Sequence, residues 1–220
     1  VRIFFIIGLW TVISVGAVRA QLLGGSAAMN FLRLPAGATA MAKGGTQITT
    51  DIPDLSASFQ NPALLESGQY PQLHSSFVIL PGGTKGYFLS GSFSKPAASV
   101  ATALSIQYFD HGNTIQTDAG GSTLGSFRPR DWSVQLAASM PYRNRWRGGV
   151  GLQLAHSTYG AYRAMAGLSN IGIQYRDTAR GFQAAAIFRH AGFFIRRYDP
   201  GSNPQLPVEL AFGVTQKWMG

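Results

Sequence analysis

From residue 73 onward apolar residues recur at every second position, and this constrains the fold more than any other feature of the chain. In Ser99–Phe109, Val100, Thr102, Leu104, Ile106 and Tyr108 fall on one side of an extended backbone. Ala101, Ala103, Ser105 and Gln107 fall on the other. Trp132, Val134, Leu136 and Met140 likewise oppose Ser133, Gln135, Ala137 and Ser139. Val150, Leu152 and Leu154 oppose Gly149, Gly151, Gln153 and Ser157. Near the end, Val208, Leu210, Phe212, Val214 and Trp218 oppose Glu209, Ala211, Gly213, Thr215 and Lys217. Weaker members are Tyr87, Leu89 and Phe93, then Phe182, Ala184, Ala186 and Phe188 against Gln183 and Arg189. Between Tyr162 and Tyr175 the apolar parity passes from Tyr162 and Leu168 to Ile171, Ile173 and Tyr175, which predicts a bulge near Ser169-Asn170.

With the less regular Leu73–Leu80, the pattern predicts about eight strands. Their separators carry turn chemistry: Pro81-Gly82-Gly83, Lys95-Pro96, Pro141 to Asn144, Tyr159-Gly160, Arg176-Asp177 and Asp199 to Pro204. Such connections imply an antiparallel meander. Residues 113–130 read as an overlong hairpin protruding beyond the sheet, with its tip at Asp118 to Gly121.

The second face decides what surrounds the sheet. A soluble sandwich turns its oily face inward and loads the other with Lys, Glu and Asp. Here the second face is mainly Gly, Ala, Ser and Gln, and only 12% of the chain is charged, about half the share of a soluble domain. Oily residues outward, small polar ones inward and Trp and Tyr near strand ends form the pattern of a transmembrane β-barrel. A secreted β-sandwich is the rival architecture.

The first residues point the same way. Val1-Arg2 is a minimal basic start, Ile3 to Val18 is apolar, and Val18-Arg19-Ala20 offers small residues where a signal peptidase cuts. Residues 1–20 are therefore expected to be a signal peptide, and the run is short for a bilayer span. The chain has no Cys, so an exported fold must rely on backbone pairing and packing rather than disulfides or thiolate-bound metal. The charge of +9 suits nucleic acid, acidic protein or an anionic membrane surface, and export disfavours the first.

Residues 21–72 do not alternate well enough to be wall. The small-residue stretch "PAGATAMAKGG" and the rigid turn at Asn61-Pro62 suit a plug lying against a small-residue lumen, ahead of barrel strands in 73–220.

At these residues the chain resembles a known group. "FLRLPAGATAMAKGGTQITTDIPDLSASFQNPALL", Phe31 to Leu65, is similar to the N-terminal region of the PorV and PorQ proteins of the type IX secretion system. Those proteins are themselves similar to fatty-acid-channel-type barrels. The shared elements are Ala36 to Ala42, Gly44-Gly45, the acidic Asp51 and Asp54, and Asn61-Pro62-Ala63-Leu64; Lys43 departs from the usual apolar or small residue. Downstream, "LSIQYFDHGNTIQTDAGGSTLGSFRPRDWSVQLAASMPYRNRWRGGVGLQLAHSTYGAYRA" and "QLPVELAFGVTQKW" resemble the PorQ family more narrowly. The resemblance implies a noncatalytic outer-membrane barrel without cofactor, holding the partner PorZ beside PorU and PorV in a surface attachment complex. It also implies further strands, so the chain is expected to be roughly two thirds of a barrel. A closed eight-stranded barrel is geometrically open too.

In this reading Val100, Leu104, Trp132, Leu136, Leu152, Leu154, Leu210 and Phe212 face outer-membrane lipid. Gly44, Gly45, Asp54, Asn61, Pro62, Ala63 and Leu64 form the plug motif. Arg143, Arg145, Arg147, Arg196 and Arg197 sit at strand ends, where they hold lipid headgroups or dock an acidic partner. Catalysis is not expected. His74, His111, His156 and His190 show no metal-ligand spacing, no phosphate-binding Gly-Lys loop occurs, and His156 and Ser157 fall on opposite faces of a strand. The alternative function is a transporter of small hydrophobic molecules, which needs an apolar conduit.

Overall fold

The computed structural model describes residues 27–50, 54–67, 71–95 and 98–217. The expected signal peptide, Asp51 and Trp218 lie outside them. Among the described residues the chain is all-β apart from short helical turns, and no helix is long and apolar enough to cross a membrane. That leaves crossing by strands untouched.

Each alternating stretch contains a strand, although Phe93, Val100 and Val208 fall just outside the strands. The strands are β1 (Leu73–Ile79), β2 (Lys85–Ser92), β3 (Ala101–Asp110), β4 (Thr114–Thr117) and β5 (Thr123–Phe127). They continue as β6 (Arg130–Tyr142), β7 (Trp146–Tyr159), β8 (Tyr162–Asp177), β9 (Phe182–Arg196) and β10 (Glu209–Gln216). Eight of them form one antiparallel sheet in the order β1-β2-β3-β6-β7-β8-β9-β10, while β4 and β5 pair as a separate hairpin between β3 and β6. That hairpin is the protrusion expected from residues 113–130.

The sheet is not closed. β1 and β10 are its edges, so the described residues form an open antiparallel sheet and not the expected closed or partly closed barrel. Closure of these eight strands on themselves would leave an interior just wide enough for side chains. This wall instead curls around a backbone: residues 27–67 touch β1 where Ala38 N donates to Ser76 Oγ at 3.3 Å, and β10 where Thr49 and Thr215 hydroxyls meet at 2.6 Å.

Two turns differ from expectation. Pro141 and Tyr142 still pair with Arg147 and Trp146, and Arg176 and Asp177 still pair with Gln183 and Phe182, so the reversals fall at residues 143–145 and 178–181. The ladder outlasts the local turn propensity. A third difference concerns the bulge. β8 keeps one parity throughout, with Ala164, Ala166, Leu168, Asn170 and Gln174 all buried on the inner side. The extra residue lies on β9: Ser169 pairs with Ala191 and Ile171 with Phe188, so three steps on β9 match two on β8. His190 occupies the kink at φ 60, and its N–H donates to Asn170 Oδ1 at 2.8 Å. Beyond it Phe193 and Ile195 face outward and are exposed.

The two ends of the sheet are unlike. One carries the β4–β5 hairpin and the 197–208 connection; the other carries the short reversals at 143–145 and 178–181.

Candidate functional site: an apolar outer wall around a filled interior

Each strand offers one face to each environment. On the inner face, Gly149 and Gly172 leave room for another backbone: a Cβ on Gly149 would lie 2.3 Å from Ala63 N, and one on Gly172 would lie 2.0 Å from Asn61 Oδ1. Into this space fits the Asn61-Pro62-Ala63-Leu64 turn, all of it buried. Asn61 caps the turn by accepting from Ala63 N at 3.1 Å, and its Nδ2 donates to Ile48 O at 2.9 Å. Pro62 follows at the first helical position, where its missing N–H costs nothing.

Other members of the plug motif act at its margins. Gly45 accepts from Gln60 Nε2 at 3.0 Å, and Gly44 and Gly45 both hold positive φ after the helical turn Ala38–Ala42. Asp54 Oδ1 accepts from Ser56 N at 2.8 Å, opening the turn into Ala57–Gln60. Leu65 O receives Ser139 Oγ and Arg147 Nη1. The segment therefore runs along the interior, from a bridge between Ala27 and Gln205 at the hairpin end to Leu65 at the other.

Several of the polar residues inside bond to one another and to the plug, although Gln107 Nε2 and the Gln47 amide have no partner among the described residues. Ser133 Oγ donates to Gln107 Oε1 at 3.3 Å, Gln153 Nε2 to Ser133 Oγ at 3.1 Å, and Asn170 Nδ2 to Gln135 Oε1 at 2.7 Å. Gln135 Nε2 closes the chain on Ser58 O of the plug at 3.2 Å. Buried amides so paired make a network that specifies how the segment seats. Toward the hairpin end the filling is apolar: Met29, Phe31, Leu32 and Phe59 pack on Phe88, Phe109 and Leu168. The sequence reading treated the inner face as small and polar and missed this cluster. Its signal was Phe88 and Phe109, which share parity with the small residues, and Leu168, which was assigned to the outer face.

The outer face is apolar and bare. Leu136, Leu152, Leu154, Leu210 and Phe212 are exposed, Phe212 to 73%. Val100 is exposed just ahead of β3, and Leu104 and Trp132 are half-buried by their neighbours on the same face. Register joins these residues across strands, Leu104 to Leu136 to Leu152. No second layer covers them among the described residues. Aromatic side chains border this band on both sides. Toward the hairpin end runs the row Phe77, Tyr87, Tyr108, Trp132 and His156. At the other end Tyr142 pairs with Trp146, whose ring meets Tyr175 at 5.0 Å. His156 stacks on Trp132 outside the sheet, whereas Ser157 is buried inside it.

At the hairpin base, His111 Nε2 lies 2.6 Å from Asp131 Oδ2 and its Nδ1 lies 3.2 Å from Thr84 Oγ1. The Asp131 hydrogen bond raises the imidazole pKa above its ordinary 6.5, against the opposing effect of burial. Arg128 grips Asp110 through both ends of its guanidinium. The five strand-end arginines divide: Arg143, Arg145 and Arg147 stand at the short-turn end, Arg196 and Arg197 at the hairpin end.

No protein-family model and no curated protein matches the chain.

Proposed function

We propose that this sheet is part of the wall of an outer-membrane barrel wider than eight strands, and that the protein is a noncatalytic component of a type IX secretion apparatus of the PorQ kind. The observation that carries the membrane reading is the apolar outer band between two aromatic borders. From Trp132 to Tyr142 is about ten residues, which at about 3.3 Å per residue and a tilt of about 40° spans about 25 Å, the height of the apolar band of outer-membrane barrels. Exposed apolar surface of this extent is not tolerated in water. The open edges at β1 and β10 would equally be intolerable in hydrocarbon unless paired, which calls for further strands.

The filled interior supports an anchor rather than a pore. The plug bonded to Gln135, Ser139 and Arg147, with buried amides beside it, places polar groups along the inner face of the described residues, where a transporter of apolar molecules needs an apolar path. The outer wall then grips outer-membrane lipid, and the hairpin end offers its rim to PorZ, PorU and PorV. These partners come from the sequence resemblance alone.

A second reading has one observation in its favour. An apolar groove of about 740 Å³ opens on the outer wall among Leu104, Leu136, Leu152, Leu154 and Phe193, and the inward-facing Gln153 and Leu168 also line it. A small hydrophobic molecule could enter laterally there.

Affinity capture from detergent-solubilised envelopes separates the readings. Recovery of secretion-apparatus proteins without a stoichiometric apolar ligand is expected for the anchor. Co-purified fatty acid with no such proteins would overturn it in favour of the transporter.

A further inference from the structure

The arginines around the β6–β7 reversal do not act singly. Arg143, Arg145, Arg147 and Arg176 line one cavity of about 320 Å³, together with Glu66 and Asp177. That volume is at the small end of ordinary ligand pockets. The two carboxylates are taken: Arg176 pairs with Glu66, and Arg145 reaches Asp177 Oδ2 at 3.1 Å and Tyr175 Oη at 3.1 Å. Arg147 Nη1 donates to Leu65 O at 3.1 Å, and neither Arg147 nor Arg143 has an ion-pair partner among the described residues. Arg143 also holds φ 56, a left-handed backbone that a long side chain rarely adopts, with its guanidinium 5.3 Å from the Tyr142 ring centroid. Four guanidiniums against the carboxylates of Glu66 and Asp177 thus leave the concavity with an excess of two positive charges.

We infer that this cavity is an anion site that takes a phosphate group. Guanidinium forks match the oxygens of phosphate in pairs, and a doubly charged oxyanion neutralises the excess that the two carboxylates leave. Asn144 and Thr178, also in its lining, add neutral polar groups. The phosphate has two available sources. Trp146 and Tyr175 border the cavity on the outer face, at the level where an anionic phospholipid headgroup would lie if the sheet spans a membrane. Arg147 and Arg176 lie on the inner side of the same mouth, where a soluble phosphate ester would arrive from water. The lipid source rests on the membrane reading; the anion site itself does not.

The test uses the full chain, purified in a neutral detergent. Trp146 fluorescence, isolated by replacing the other tryptophans with Phe, is followed during titration with inorganic phosphate, and separately with phosphatidylglycerol against phosphatidylcholine in mixed micelles. A saturable response to phosphate identifies a soluble ligand, and one to phosphatidylglycerol but not phosphatidylcholine identifies the headgroup. Either response should weaken about tenfold or more in Arg143→Gln/Arg147→Gln and stay unchanged in Arg196→Gln/Arg197→Gln at the opposite end. Should the double variant not fold, Arg143→Gln alone decides, since that side chain is exposed on a turn and makes no ion pair. No saturable response to either probe, or equal binding by the folded arginine variants, overturns the site.

Discussion

Replacing Gly149 by Ala tests how the plug is held, and its neighbour Gly148 supplies the control. The two glycines are consecutive on β7 and face opposite sides. A Cβ at 149 would meet Ala63 N at 2.3 Å, Pro62 C at 2.4 Å and Pro62 O at 2.6 Å, all backbone atoms that no rotamer change can move aside. At 148 it meets nothing within 4 Å. For Gly149→Ala to be accommodated, the turn must retreat by about 1 Å or more. Overpacking of this kind costs about 1–3 kcal/mol. If the turn lifts away instead, the cost includes the burial of Leu64, about 1.5–3 kcal/mol. It also includes the Asn61 hydrogen bonds, about 0.5–1.5 kcal/mol each. A loss of about 3 kcal/mol is expected. Gly148→Ala should be neutral or stabilising by about 0.5–1 kcal/mol, the usual gain from removing a glycine from a strand interior. Denaturant unfolding of detergent-refolded protein measures both, and protease cleavage within residues 27–67 reports whether the segment has come loose. Equal stability of the two variants, with the segment equally protected, would refute the docked geometry.

Asn170→Ala removes the donor to Gln135 and Gln153 and the acceptor of the His190 N–H. Leaving those buried groups unpaired should cost about 1–3 kcal/mol each in the same unfolding assay, whereas Ser202→Ala, at a half-buried turn position whose hydroxyl bonds only Asp199 O, should cost less. His111 contributes through a raised pKa, so its stabilisation is complete below the ordinary value of 6.5 and fades as pH rises through the raised one. A melting-temperature profile of the native chain should therefore fall on the alkaline side of that window, and His111→Gln should flatten it. Leu152→Arg on the outer face should cost about 2–4 kcal/mol for folding into lipid vesicles, if the residue lies near the bilayer centre.

The wall was legible because strand parity is a local property. Leu136 and Leu152 declare their face through Gln135 and Gly151, without reference to anything distant. The β4–β5 hairpin was equally plain, since Asp118-Ala119-Gly120-Gly121 is strong turn chemistry. What local pattern could not supply was the content of the lumen. Leu168 looks like an outer residue until Phe31 and Phe109 are seen to pack near it, and those partners are far away in sequence. The bulge was sensed at Ser169-Asn170 but belongs to β9, because an apolar inner Leu168 mimics a parity change on the wrong strand. Glycines such as Gly149 read as generic small residues. Their purpose appears only when Pro62 and Ala63 are placed against them. The arginine cavity was hidden for the same reason: Arg147 and Arg176 lie far apart in the chain, and only adjacent strands bring them to Glu66.

The central claim is that hydrocarbon covers the outer face. It is tested most directly by nitroxide labels placed one at a time from residue 133 to residue 140 on β6, with the chain in its native envelope. The account predicts that 134, 136, 138 and 140 collide with dissolved oxygen but not with a water-soluble nickel chelate, and that 133, 135, 137 and 139 are shielded from both. Chelate access at Leu136 equal to that of a label on Asp118 at the hairpin tip would contradict it.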